Sequence, residues 1–412
     1  MQCESGYTTG VPRGLPADLF PTDSPLAPAD MIGRADDVER LAVELRHGVN
    51  CIIAEPRRTG KTTVCDAALA RLDRGRFYVV ALDLRRIDDI EALADALIER
   101  TMENRPAVRR ALRRVRRLGR TLYDRLGGDE LVRLSAHGAL EGVEMSFLLP
   151  GARGGDPVAK LDHALGVMQR VAAQDNKRLV LYLDEFQEVE TIGESYAKGW
   201  GMTLKRKMRA EFQRDPDVSF LFSGSYEHMM ARIFGHRDEP FFQFGSFRRL
   251  SEITPGEWAD GLAARFDADG TQITPQALGR IVELGRGHPR ATMLVAQQAY
   301  LASVLAETRT VSADLVAVAY RETMRSELLN HEAIVELIRH LSSPAVNRLA
   351  LKVITAIAAG QRPYHGHKST PPVARAIRAL VDAGLIERAG SQRWRVVDPL
   401  LGDYLRTRTD LG

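Results

Sequence analysis

Ala54 to Thr63 reads AEPRRTGKTT, and this run constrains the fold more than any other feature of the chain. A short apolar segment, Asn50 to Ala54, precedes it, and a helical pattern from Lys61 to about Leu72 follows. Strand, Pro/Arg/Gly turn and helix, in that order, is the setting a phosphate-binding loop requires. Backbone N–H groups of such a turn and of the helix N-terminus point at an anion, and the helix dipole adds to the attraction. Lys61 is placed to neutralise β and γ phosphates, and the Thr62 hydroxyl to ligate Mg²⁺. The general pattern GxxxxGK[ST] carries Gly where this chain has Glu55. A strand-end Glu can point away from the loop, whereas one facing phosphate is strongly unfavourable.

Around this loop, strands and helices alternate. Ala35 to Arg46 has the apolar spacing of an amphipathic helix. Phe77–Leu84 reads as a strand, Ile87–Glu99 as a helix, Arg178–Leu183 and Val218–Phe222 as buried strands, and Trp200–Arg214 as a charged helix. Such alternation predicts a parallel, doubly wound sheet. After about Thr254 the strand pattern stops and helical periods take over, as in Thr274–Leu284 and Pro289–Leu305. The last stretch, 344–412, reads as short helices, then Leu385–Glu387, a turn at Gly390–Ser391, and Arg393–Val397. Helices followed by a two-stranded ribbon predict a winged helix-turn-helix.

The apolar run Leu179–Leu183 ends in Asp184 and Glu185. The carboxyl edge of a parallel sheet is where ligand-binding residues stand. Asp184 suits a group that supports Mg²⁺, and Glu185 suits a base that deprotonates the attacking water. Ser223 and Ser225, after the next strand, have two readings: sensing the γ-phosphate, or capping the helix that follows.

Composition excludes more than it selects. The chain has 412 residues, 44% of them hydrophobic, which is long enough for two or three cored domains. Lys plus Arg is 57 against 54 for Asp plus Glu, a net charge of +3, so the chain is no polyelectrolyte. Three cysteines, Cys3, Cys51 and Cys65, make neither a disulfide framework nor a zinc site. No apolar run approaches the roughly 20 residues of a membrane span, so a cytoplasmic protein is the default.

Together these residues resemble the archaeal-type AAA+/STAND P-loop ATPases, relatives of origin-recognition ATPases with a C-terminal winged helix. Ile32-Gly33-Arg34 looks like the family's opening element beside the adenine. Pro56, Arg57, Arg58, Thr59, Gly60, Lys61 and Thr62, with Thr63 after them, look like its PRR-x-GKT loop. Asp184-Glu185-Phe186-Gln187 matches its DEFQ element, and Gly287-His288-Pro289 its lid signature, which puts Arg290 where it could approach phosphate. Asp398-Pro399-Leu400-Leu401 resembles its closing segment. The resemblance implies an irregular arm over 1–30, an α/β core over 31–254 with a helical insertion at 101–160, a helical lid over 255–343 and a winged helix over 344–412. It implies Mg·ATP bound between core and lid and a switch whose hydrolysis changes winged-helix exposure, with a protein partner or a second copy as regulators. No arginine acting in trans is obvious, and Arg248 and Arg249 are the best placed, so turnover is expected to be slow.

Two basic features leave partners open. Arg375 and Arg378 would be exposed one turn apart on the recognition helix, with Arg393 in the wing, which suits DNA. Winged helices of the family also serve as lids or partner surfaces, so a nucleotide-controlled DNA-binding regulator is the competing reading. Arg109–Arg120 forms a basic amphipathic pattern that suits nucleic acid, an acidic partner or anionic lipid, and equally a solvated helix face.

Overall fold

The computed structural model describes residues 19–22, 26–105, 156–214, 217–364, 370–389 and 393–408. The Arg109–Arg120 pattern, most of the 101–160 insertion and the Gly390–Ser391 turn lie outside them. The chain divides into two compact units, one built on 36–55 and 64–250, the other on the N-terminal segment to Ala35 with 56–63 and 251–412.

The first unit is a five-stranded parallel sheet. Its strands are β1 (Cys51–Ala54), β2 (Phe77–Asp83), β3 (Arg178–Asp184), β4 (Val218–Gly224) and β5 (Ser246–Arg248), in the order β2-β3-β4-β1-β5. Its helices are α1 (Ala35–Arg46), α2 (Lys61–Ala70), α3 (Ile90–Glu103), α4 (Pro157–Gln174), α5 (Val189–Tyr196), α6 (Trp200–Phe212) and α7 (Glu227–Gly235). Every residue of β4, and all of β3 after Arg178, is buried, as a sheet covered on both faces demands. Side chains of Asp89 and Asp156 cap α3 and α4, which explains why α3 starts at Ile90 and not at the expected Ile87. Strands β3 and β4 run one and two residues further than their apolar runs suggest. Asp184 is therefore the last residue of a strand, with its direction set by the ladder. The edge strand β5 escaped the sequence reading because it is three residues long and mostly exposed.

The second unit is mainly helical: α8 (Pro255–Ala268), α9 (Pro275–Gly285), α10 (Pro289–Leu305), α11 (Ala313–Ser326), α12 (Leu328–Arg339), α13 (Pro344–Ala358), α14 (Thr370–Asp382) and α15 (Pro399–Thr407). Pro at the first turn, after a capping Thr254, Thr274, His288 or Asp398, starts four of these helices. Proline suits that position because its missing N–H would have no partner there. Thr254 and Glu257 form a reciprocal capping box. The expectation that strands stop near Thr254 fails: β6 (Gln272–Ile273) and β7 (Thr310–Val311) pair in parallel between the helices. Two residues each carry too little pattern to read. An antiparallel hairpin, β8 (Ile386–Ala389) with β9 (Arg393–Val396), follows α14.

Two hydrophobic cores lie in this unit. One gathers Trp258, Phe266, Ile281, Tyr300 and Leu400. The other gathers Ile338, Val353, Leu380, Ile386 and Leu401. Among the described residues no helix is long and apolar enough to cross a membrane.

Candidate active site

The loop leaves the carboxyl end of β1 and enters α2 at Lys61. Two residues in it adopt left-handed backbone, Arg58 at φ 66° and Gly60 at φ 86°. Glycine suits 60 for its positive φ, and a Cβ there would also crowd a guanidinium nitrogen of Arg34 at 3.2 Å. Thr59 Oγ1 and Lys61 Nζ both donate to the Pro56 carbonyl, each at 2.9 Å, and draw the turn together. Lys61 is only 5% exposed, and Pro56 and Thr63 are also buried. Thr62 is half-buried, and Arg57 and Arg58 are exposed. Glu55 accepts a hydrogen bond from the Leu250 amide at 3.1 Å while its own N–H donates to Gly224. That bond ties its carboxylate to the backbone just after β5.

The acids stand at the tips of β3 and β4. Leu183 pairs with Phe222 in register, so Asp184 and Ser223 come one step further on the same face. Ser223 Oγ donates to Asp184 Oδ1, and Tyr182, 3.0 Å from the same hydroxyl, then donates to Ser223. The Glu185 N–H also donates to Asp184, at 3.0 Å. Glu185 has left-handed backbone, φ 53° and ψ 48°, which costs a non-glycine residue roughly 1–2 kcal/mol. Phe186 secures the bend: it is fully buried among Phe222 at 4.6 Å and Phe241 at 5.0 Å between ring centroids.

The Glu185 carboxylate is held on both oxygens. Ser225 Oγ donates to Oε1 at 2.5 Å, while the Ser225 N–H and Gln187 Nε2 donate to Oε2 at 2.9 and 2.6 Å. Arg85 adds an ion pair at 3.7 Å and also faces Asp83. Burial works against the Arg85 charge, but Glu185, Asp83 and Asp184 outweigh it and keep that charge in place. Ser225 therefore does not cap α7, whose N-cap is Tyr226 without a side-chain bond. The sequence reading left Arg85 out of this cradle and named Gln187 only within the DEFQ element, without its bond to Glu185. Asp83, paired with Asp184 across β2 and β3, was the available signal.

Other expected site residues lie elsewhere. Arg248 is joined to Glu44 of α1 through Nε at 2.9 Å and Nη2 at 2.8 Å, while Arg249 is exposed. Pro289 opens α10, and Arg290 meets Glu327 in a buried two-pronged pair of 2.9 and 3.0 Å. In this structure the Arg290 guanidinium is engaged by Glu327. A carboxylate buried at the α11–α12 junction needs such a partner, and removing either member would leave an uncompensated charge.

His288 caps α10 by accepting the Ala291 amide at Nδ1. Burial, with Arg290, Arg58 and Arg395 acting the same way and Asp398 against them, lowers its pKa from 6.5 to about 4. The unfolded chain therefore takes up the proton first. This part of the stability is complete above pH 6.5 and is lost as pH falls toward about 4. Denaturant unfolding at a series of pH values checks it: His288→Asn, which retains a capping oxygen, flattens the acid limb of the stability curve.

No protein-family model matches the chain, and no curated protein matches it in sequence. Solved structures do. The Walker-type ATPase paby2304 of Pyrococcus abyssi is similar over 94% of this chain and 99% of that one, at 14% identity and a TM-score of 0.63. The Aeropyrum pernix ORC2 protein in ADPNP–ADP complexes is similar over 94% of this chain and 95% of that one, at 16% identity and a TM-score of 0.58. Its ADP form gives 15% identity and 0.53. With the strand order and the loop between β1 and α2, these likenesses establish the chain as a P-loop NTPase α/β fold.

Proposed function

We propose that this chain is an ATP-binding, ATP-hydrolysing switch of the AAA+/STAND type. The observation that carries the reading is one sheet edge: β1 gives rise to the GKT loop, and β3, one strand beyond β4, ends in Asp184 and Glu185. In this reading the amides of residues 57–62 and the Lys61 ammonium hold the phosphates, with Lys61 exchanging the Pro56 carbonyl for a phosphate oxygen. Thr62 and Asp184 offer hard oxygens, which suit Mg²⁺. When bound, the metal neutralises charge on the β and γ phosphates. Glu185 takes the proton of the attacking water as that oxygen bonds to the γ-phosphorus and the bond to the β-phosphate oxygen breaks. Ser223 and Ser225 orient the two acids.

The helical segment 255–343 is assigned as the lid and 344–412 as a winged helix whose exposure follows nucleotide state, in signalling, defence or regulation. A protein partner or a second copy would regulate it, with Arg249 left as the arginine available to act in trans. A second reading, a nucleotide-controlled DNA binder, draws support from Arg375 and Arg378, both exposed on α14, and from exposed Arg388 and Arg393 on the hairpin. The test is calorimetric titration of the full chain with ATP, and phosphate release with Mg²⁺ and with EDTA in its place. Binding, with hydrolysis that EDTA abolishes, is the expected result; a chain that binds no nucleotide sinks the proposal. Repeating the titration with duplex DNA separates the readings, because phosphate contacts make affinity fall steeply with salt and Arg375→Ala would lower that slope.

A further inference from the structure

Residues 19–22 and 26–30 belong to the stretch 1–30 that reads as an irregular arm, yet the structure fastens them, and 31–34 after them, at several points. Phe20 is fully buried, with ring centroids 4.8 Å from Phe266 and 6.1 Å from Tyr300. Arg265 of α8 donates to the carbonyls of Leu19 and Asp30, and Gln297 of α10 donates to that of Phe20 at 3.1 Å. Ile32 is buried against α8 at Gly261, where a Cβ would come within 2.7 Å of it. Full burial of an aromatic ring is strongly favourable, so Phe20 anchors the segment to α8 and α10.

The same segment also touches the phosphate loop. The Leu26 N–H donates to Thr63 Oγ1 at 3.3 Å. Arg34 forks: Nη1 donates to the Thr59 carbonyl and Nε to the Ser251 carbonyl at 2.8 Å. Gly33 and Arg34 are both left-handed, at φ 65° and 60°. A Cβ on Gly33 would stand 3.0 Å from Ile253 and 3.1 Å from the Glu257 carboxyl, so the bend is packed tight against the start of α8.

We propose that residues 19–22 and 26–34 act as a strap that positions the phosphate loop, with Phe20 and Arg34 as positioning residues that set how long nucleotide stays bound. The inference rests on the ATP-binding reading. A loop held with the Thr59 carbonyl turned toward Arg34 keeps its remaining amides arranged for phosphate. A loop released from the strap leaves its amides poorly held against a seated phosphate, so bound nucleotide escapes more often and apparent affinity falls with it. Chemistry at Glu185, once nucleotide is seated, is unaffected.

The experiment uses the full chain and a fluorescent ADP analogue, with release followed by stopped flow after displacement by unlabelled ATP. Phe20→Ala is expected to speed release and weaken binding about tenfold. Its kcat at saturating ATP should stay within about twofold of wild type, a split that a general loss of fold does not produce. Phe20→Leu, which refills most of the site, should restore release toward wild type. Where Phe20→Ala fails to fold, Arg34→Lys decides, since lysine keeps the charge and loses the fork. Folded variants that release nucleotide at the wild-type rate overturn the strap and leave the ATP-binding reading standing. A wild-type chain that binds no analogue overturns both.

Discussion

Glu185→Gln is expected to bind ATP as the wild type does and to hydrolyse it roughly 10²–10⁴-fold more slowly, the usual loss when a general base is removed. The substitution preserves shape. The amide oxygen can still accept from Ser225 N–H and Gln187, and its NH₂ can donate to Ser225 Oγ, a hydroxyl that accepts as readily as it donates. The left-handed bend at Glu185 is also held by buried Phe186, whose packing the substitution leaves in place. What disappears is the capacity to take a proton from water. Phosphate release under saturating ATP, with binding measured in parallel, reads the two effects separately. Hydrolysis at the wild-type rate in this variant would falsify the role given to Glu185.

Lys61→Ala is expected to lower ATP affinity by about 100-fold, from the roughly 1.5–3 kcal/mol that a charged hydrogen bond contributes. Lys61 is buried to 5% exposure, so its ammonium acts in a medium where charge is poorly screened. The folded chain should survive the change. Alanine favours the first turn of α2, and the lost bond to the Pro56 carbonyl costs about 1 kcal/mol. Titration with ATP, together with a thermal unfolding curve, distinguishes a lost site from a lost fold. Affinity equal to wild type would remove Lys61 from the site.

The loop and the acidic strand tip were legible because each is a contiguous run whose residue types and flanking periods state their own local structure. Glu185 beside Asp184, and Gly60-Lys61-Thr62 after an apolar strand, need no distant information. The groups that orient them were not legible. Ser225 reaches Glu185 across 40 positions, and Ser223 reaches Asp184 across 39. The strap is the extreme case: Leu26 and Thr63 are 37 positions apart, and Phe20 and Gln297 are 277. A Pro- and Gly-rich stretch carries no period for such contacts to show through. The ion pair of Arg290 is hidden from the sequence for a related reason. The place of Arg290 beside Pro289 is local, but its partner Glu327 lies at the far end of the next helix, where nothing in the sequence marks a buried acid.

The final helix carries a consequence for how residues 251–408 come apart. Leu400 is buried in one hydrophobic core and the adjacent Leu401 in the other, and neither is more than 1% exposed. Neighbouring side chains on a helix diverge by about 100°, so one short segment serves two cores at once. Fraying α15 opens both, and neither core can loosen without pulling on the other's leucine. Two cores that share a helix in this way behave as one cooperative block.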